Sequence, residues 1–241
     1  MVLPDKKTNG RVTLKELRML LFGPPKIGKT SLCSGFPNAL FLTTEKGYAA
    51  LKIYAKDIDS WETFKEVNKE LTKKKKHKKF ETIVIDTIDI LFNLCSDYIC
   101  ADLGITHISD EKWAKGYDML KKEFERELNK LFLMHYGIIL ISHTKLADVS
   151  GRQGSSTKIV PTFSNTARGV IIPKVSVIGC MKLKLIKPQF KGGKYKEKRI
   201  ITFAPSEFIE AGDRDGKLPE EITTFKDPAK TYAIFKKYYG A

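Results

Sequence analysis

Apolar residues in this chain fall into short dense runs separated by stretches in which they recur every third or fourth position. Residues 17–22 (LRMLLF), 39–43 (ALFLT), 80–85 (FETIVI) and 137–142 (GIILIS) each read as a buried strand. The segment after Gly28 has no breaker until Gly35 and Pro37, so a short helix fits there. Ser60 is placed to cap a helix carrying Trp61, Phe64, Val67 and Leu71. Ile88, Leu91, Phe92, Cys95 and Ile99 follow at helical spacing. Ser109 is placed to start a longer helix with Trp113, Tyr117, Leu120, Phe124, Leu128 and Leu131, the clearest amphipathic stripe in the chain.

Residues 144–165 are rich in Ser, Gly, Thr and Lys without periodicity and read as a mobile loop. Residues 175–185 and 199–203 are two further strands, and the turn-like segment between them predicts an antiparallel hairpin. Asp227 followed by Pro228 is a helix start, after which Tyr232, Phe235 and Tyr239 dock a C-terminal helix. Strands alternating with helices predict an α/β fold: a mostly parallel sheet flanked by helices, with an antiparallel hairpin at one edge. No repeat or linker is visible, so residues 1–16 are read as an N-terminal extension and 17–241 as one domain.

The 241 residues are 42% apolar and 29% charged, enough for a core and typical of a soluble chain. Lys and Arg outnumber Asp and Glu by 43 to 28, a net charge of +15, which points to a polyanionic partner. The run KKKKHKK at 73–79 supplies six of the 43 cations, so the excess is not confined to it; it reads as a solvated loop or as a DNA contact. The opening residues lack the apolar stretch of a signal peptide, and no run is long enough to span a bilayer. A cytoplasmic protein without membrane contact is expected. Cys33, Cys95, Cys100 and Cys180 form no metal-binding spacing and read as buried free thiols.

Gly23-Pro24-Pro25-Lys26-Ile27-Gly28-Lys29-Thr30 fits G-x-x-x-x-G-K-[ST] at every fixed position, with a strand before it and a helix after it. Such a loop turns its N–H groups inward on phosphate oxygens, and the following helix, with Ser31 in its first turn, adds the positive end of its dipole. Lys29 is placed to bridge the β- and γ-phosphates, and Thr30 to put its hydroxyl on Mg2+. ATP and Mg2+ are therefore the expected ligands. Asp86 closes the run Ile83-Val84-Ile85-Asp86 at the crevice end of a parallel strand, where it suits the Mg2+ shell and also serves as a helix cap. Asp89, one turn on, reads as a solvated or capping residue. Glu45 ends the second strand; if that strand adjoins the P-loop strand, Glu45 faces the γ-phosphate and can activate water. His143 ends the fourth strand, placed either to sense the γ-phosphate or to serve as a structural histidine.

With these points in register, the chain resembles the core-only RecA-like ATPases found in phages, a family linked to single-strand annealing and homologous recombination. The carriers are GPPKIGKTS, ALFLTTEKG, ETIVIDTID, WAKGYDMLKKEFERELNKL, IILISHTK and AGDRDGKLPEEI, covering about residues 17–222. The P-loop is shared by many NTPases; the ordered combination is far more specific. The resemblance implies a RecA-like core, Glu45 as catalytic glutamate and His143 as γ-phosphate sensor. It implies a single-stranded DNA contact over residues 145–166, with Lys145, Arg152 and Lys158 as candidate phosphate contacts. It further implies a homo-oligomeric ring or filament with ATP at the subunit boundary, and a single-strand-binding protein as a natural partner. Lys182 and Lys184, alternating along a strand, resemble the paired lysines that complete a neighbour's site in bacterial recombinases, with Arg168 as competitor. For a phage-encoded protein the compartment is the host cytoplasm.

Two departures stand out: the segment at 43–47 reads TTEKG where relatives are closer to DTEGG, and Pro173 lies where relatives continue a helix. Two other functions remain open at this point. A P-loop kinase shares the phosphate loop but needs an Arg-rich lid that the chain lacks; a non-catalytic ATP-locked annealing module would have no use for Glu45.

Overall fold

The chain is described by a computed structural model over residue 5 and residues 12–73, 79–111, 115–151, 154–187 and 195–240. Its centre is a sheet with the strand order β11-β9-β8-β1-β5-β4-β2-β3. In chain order the first strands are β1 (Arg18–Phe22), β2 (Ala39–Thr43), β3 (Tyr54–Asp57), β4 (Thr82–Asp86) and β5 (Gly137–Ser142). The hairpin strands β6 (Thr144–Gly151) and β7 (Gly154–Pro161) follow, then β8 (Val177–Ile186), β9 (Lys196–Thr202), β10 (Gly212–Asp213) and β11 (Glu221–Thr223). The run from β8 through β1, β5, β4 and β2 to β3 is parallel throughout. Strand β9 returns antiparallel beside β8, and β11 antiparallel beside β9. The α/β architecture expected from the sequence, a mostly parallel sheet flanked by helices with an antiparallel edge hairpin, is the one observed.

Successive residues of the central strands alternate between two cores, as the pleat requires. Leu20, Ile83, Ile85, Ile138 and Leu140 face α2 (Trp61–Leu71), α3 (Ile88–Leu103), α4 (Lys115–Phe132) and α5 (Asn165–Ile171). Met19, Leu21, Val84, Ile139 and Ile141 face α1 (Lys29–Cys33) and α6 (Pro228–Tyr239). Both faces are covered, which is why these strands read as unbroken apolar runs. Ser60 caps α2, its Oγ accepting from Thr63 N at 3.1 Å, and Asp227 caps α6 ahead of Pro228 by accepting from Ala229 N at 3.0 Å. The four cysteines are free and buried.

The structure departs from the sequence expectations at several points. Strand β3 has no apolar signature, because Tyr54, Ala55, Lys56 and Asp57 all lie exposed on an edge. Ser109 does not start the long helix; it lies in a 3-10 turn, Ile108–Asp110, capped by His107. Helix α4 is seen from Lys115, and Trp113 lies outside the described residues. Helix α5 ends two residues before Pro173, whose ring disfavours helix in the residue before it. Residues 144–165 are not a structureless loop: β6 and β7 form an antiparallel hairpin in full register from Thr144↔Pro161 to Gly151↔Gly154. Its strands pair through backbone groups, and Leu146, Ile159 and Val160 do not alternate regularly with polar residues, so no apolar period marks it. Of the lysine run, residues 74–78 lie outside the described residues. Among the described residues, no helix is long and apolar enough to cross a membrane.

Candidate functional site

The carboxyl ends of β1, β2, β4 and β5 converge on one edge of the sheet, the crevice where ligands of open α/β sheets bind. The loop leaving β1 is built for close approach. A Cβ on Gly23 would lie 2.6 Å from the Met181 carbonyl oxygen of β8. Lys26 and Gly28 have positive φ, 62° and 101°, and such left-handed positions in a tight loop turn successive N–H groups toward one point.

Lys29 is buried, with Nζ donating to Gly23 O at 2.8 Å and Pro24 O at 3.0 Å. Burial lowers its pKa, and the charges of Asp86, Glu45 and Asp89 oppose that shift. The His143 Nδ1 lies 3.4 Å from the same ammonium. Thr30 Oγ1 donates to Asp86 Oδ2 at 2.6 Å. Asp86 is buried at the end of β4, and that burial raises its pKa; the Thr30 hydrogen bond pulls it back down. The Asp86–Thr87 peptide is cis.

Glu45 reaches this cluster by a route the sequence reading did not foresee. Strand β2 does not adjoin β1; it pairs with β3 and β4, and β5 and β8 flank the P-loop strand. The carboxylate arrives because the chain after β2 is pinned to the chain after β4. Thr44 N donates to Asp86 O at 2.8 Å, and Thr87 N donates to Thr44 Oγ1 at 2.8 Å. Glu45 Oε1 then lies 3.4 Å from both Thr87 Oγ1 and His143 Nε2, its side chain 42% exposed. His143 thus stands between Lys29 and Glu45, one ring nitrogen toward each.

These groups line a cavity of about 490 Å3, the volume of a small-molecule site, together with Pro25, Lys26, Gly28, Ser31 and the segment around Tyr48 and Leu51. Tyr48 anchors that segment by donating to Asp57, which also accepts from Thr43 Oγ1 at 2.9 Å. A second cavity of about 130 Å3 shares Gly28 and Ser31 with the first and is closed by Arg199, Thr224 and Phe225. Arg199 Nη1 donates to Ile27 O at 3.2 Å. Neither Tyr48 nor Arg199 was legible in the sequence: Tyr48 follows Glu45 in a loop with no pattern that marks it, and Arg199 is brought in by β9 from a segment with no motif. Asp89 is neither solvated nor a cap; it accepts from Ser142 and Thr162.

The residues fit a divalent cation held with phosphates. A threonine hydroxyl and a carboxylate in contact are hard oxygen donors, the pair Mg2+ takes when substrate phosphates and water complete its shell. Among the described residues no group of three His, Cys, Asp or Glu side chains forms a metal cage of its own.

The remaining sequence candidates lie away from this cluster. Lys145 and Lys158 fall on one face of the β6–β7 hairpin, opposite Val160 and Ala147 respectively; Arg152 lies outside the described residues. Lys182 and Lys184 share a face of β8, but Lys184 is paired with Glu221 and the competitor Arg168 with Glu210 in the same chain.

A family model described as AAA domain matches residues 15–214. The SPbeta prophage-derived uncharacterized protein YorG of Bacillus subtilis (strain 168) is 30% identical over 156 residues. That match takes in 61% of this chain and 47% of the relative, so the chain spans about half the relative's length. Among solved structures, the flagellar accessory protein FlaH from Methanocaldococcus jannaschii aligns with a TM-score of 0.42 at 11% identity, covering 86% of this chain and 84% of that one.

Proposed function

The chain belongs to the AAA domain family, a family of P-loop NTPases, and from that premise we propose that it hydrolyses ATP with Mg2+ and couples the nucleotide to a grip on single-stranded DNA in annealing or recombination. The observation that carries the ATPase reading is the convergence of Lys29, Thr30, Asp86, Glu45 and His143 around one cavity. Thr30 and Asp86 would hold the Mg2+, which when bound shields charge on the β- and γ-phosphates. Lys29 exchanges its carbonyl partners for phosphate oxygens and neutralises the charge that grows in the transition state. Glu45, half open to solvent at the cavity wall, accepts a hydrogen bond from the attacking water and orients it. His143 lies between the phosphate-side ammonium and the water-side carboxylate, placed to respond to the γ-phosphate. The second cavity, beside Ser31 and lined by Arg199 and Phe225, would take the nucleoside end.

The DNA reading is supported by position and charge. The β6–β7 hairpin starts at the residue after His143, so the element that would grip DNA is joined directly to the element that would read the nucleotide. Lys145 and Lys158 share one of its faces, and the chain carries a net charge of +15. The prophage origin of YorG supports a phage setting. A ring or filament with Lys182 or Lys184 acting on a neighbour's nucleotide is the assembly proposed. Lys182 is the better placed, since Lys184 must first leave Glu221.

A labelled single-stranded oligonucleotide titrated with wild type, at two salt concentrations and with ADP or a non-hydrolysable ATP analogue, tests the coupling. Affinity should depend on the nucleotide, and the double variant Lys145→Ala/Lys158→Ala should lower the slope of log affinity against log salt by about 1.4, at ~0.7 per phosphate contact. Nucleotide-independent affinity, or an unchanged slope, would remove the DNA reading and leave an NTPase of another kind.

A further inference from the structure

The strand end carrying His143 and both feet of the β6–β7 hairpin meet on one carboxylate oxygen. Asp89, in the first turn of α3, accepts through Oδ1 from Ser142 Oγ at 2.9 Å and from Thr162 Oγ1 at 2.7 Å. Ser142 immediately precedes His143 and the hairpin; Thr162 immediately follows it. Thr162 N donates to the His143 carbonyl at 3.2 Å, and Ser142 Oγ also lies 3.2 Å from that carbonyl. The His143 carbonyl is therefore held by the Thr162 amide and the Ser142 hydroxyl, two residues whose side chains both meet Asp89. The other carboxylate oxygen, Oδ2, is buried with no hydrogen-bond partner among the described residues. Both hydroxyls lie within hydrogen-bond distance of Oδ1, which can accept from each of them. A further tie of the hairpin to the body is at Ile159, which exchanges backbone hydrogen bonds with Phe208 and Glu210.

We infer that Asp89 is a positioning residue that locks the His143 strand end to the two feet of the hairpin, so that a shift of His143 on nucleotide binding is passed to the hairpin. This rests on the nucleotide reading of the site. The Lys29 ammonium feels Asp89 as a favourable charge, so α3 is already coupled electrostatically to the phosphate loop. Asp89 itself touches no substrate; it acts through Ser142 and Thr162. Loss of the Thr162 hydroxyl leaves the backbone bond from Thr162 N to the His143 carbonyl but removes the tie from that foot of the hairpin to α3. An isolated structural contact would stiffen the hairpin equally whatever the nucleotide, whereas a transmitting one changes how the hairpin responds to it.

The test is amide hydrogen exchange over residues 144–151 and 154–161 of the full chain. It is run with Mg2+ and ADP, then with Mg2+ and a non-hydrolysable ATP analogue, after a titration has measured nucleotide affinity. Wild type should show exchange that differs between the two nucleotides. The isosteric Thr162→Val should keep its nucleotide affinity, exchange faster at the hairpin feet by roughly tenfold or more, as expected when a hydrogen bond to a charged acceptor is lost, and lose the difference between nucleotides. Thr162→Ser, which restores the hydroxyl, should restore that difference. A Thr162→Val protein whose hairpin still responds to nucleotide as wild type does would overturn the proposal. So would a wild-type hairpin blind to a nucleotide that the titration shows to be bound. A wild type that binds no nucleotide in the titration would instead overturn the phosphate-site reading, and the coupling with it.

Discussion

Replacing Lys29 by Met separates what this side chain does for the fold from what it does for the nucleotide. The thioether fills much of the same buried space. Two bonds are lost, to Gly23 O and Pro24 O, each to an ammonium whose pKa burial already lowers. Removing a buried charge returns part of that loss, so the net change in stability should stay within about 2 kcal/mol. For a chain of this length that is a shift in Tm of at most about 8 °C, at ~2–4 °C per kcal/mol. The effect on ligand is of another order. A ligand present at about a hundred times its Kd stabilises by ~2.7 kcal/mol, so Mg2+-ATP should raise the wild-type Tm by about 5–11 °C. Lys29→Met should lose most of that rise, and turnover should fall by about 10²–10³, the usual loss when one donor to developing charge is removed. Thermal melts of both proteins with and without Mg2+-ATP, beside phosphate release, read both quantities. A variant that is stabilised by ATP as wild type is, or that unfolds outright, would refute this division of roles.

Asp86→Asn should alter the pH dependence of stability in a set direction. Burial holds the Asp86 pKa above its ordinary 3.8, so the native state binds a proton more tightly than the unfolded chain, and stability is lost as pH rises through the window that begins near that value. Asparagine does not titrate. The stability of Asp86→Asn relative to wild type should therefore increase as pH is raised from about 4 to about 7 in urea unfolding curves, and parallel pH profiles would contradict the assignment. Gly23→Ala should destabilise by about 1–3 kcal/mol by overpacking, since its Cβ would sit 2.6 Å from the Met181 carbonyl. The loss should appear as a lower urea midpoint, whereas an unchanged midpoint would mean that β1 and β8 separate easily there.

The central sheet was legible because its strands are buried on both faces and announce themselves as runs such as LLF, IVI and IILI. The phosphate loop and Asp86 were legible because the chemistry demands fixed residue types at fixed spacing. The edge strand β3 and the β6–β7 hairpin carried no such mark. Both pair through backbone groups; all four β3 residues are exposed, as are Lys145, Leu146, Asp148 and Thr157 of the hairpin, so neither segment obeys an apolar period. Strand order was also invisible. It set Glu45 beside His143 through β4 and the Thr44–Thr87 contact rather than through adjacency to the P-loop strand. Arg199, 172 residues from its partner Ile27, and Asp89, which a first-turn position makes look like a cap, have meaning only after the chain is folded.

The most direct test of the account is steady-state phosphate release from Mg2+-ATP by wild type and Glu45→Gln, each with and without single-stranded DNA at fixed salt. Wild-type turnover should rise with DNA, and Glu45→Gln should bind ATP normally while turning over about 10²–10⁴ times more slowly. Equal turnover by the two proteins, or a wild-type rate indifferent to DNA, would contradict it.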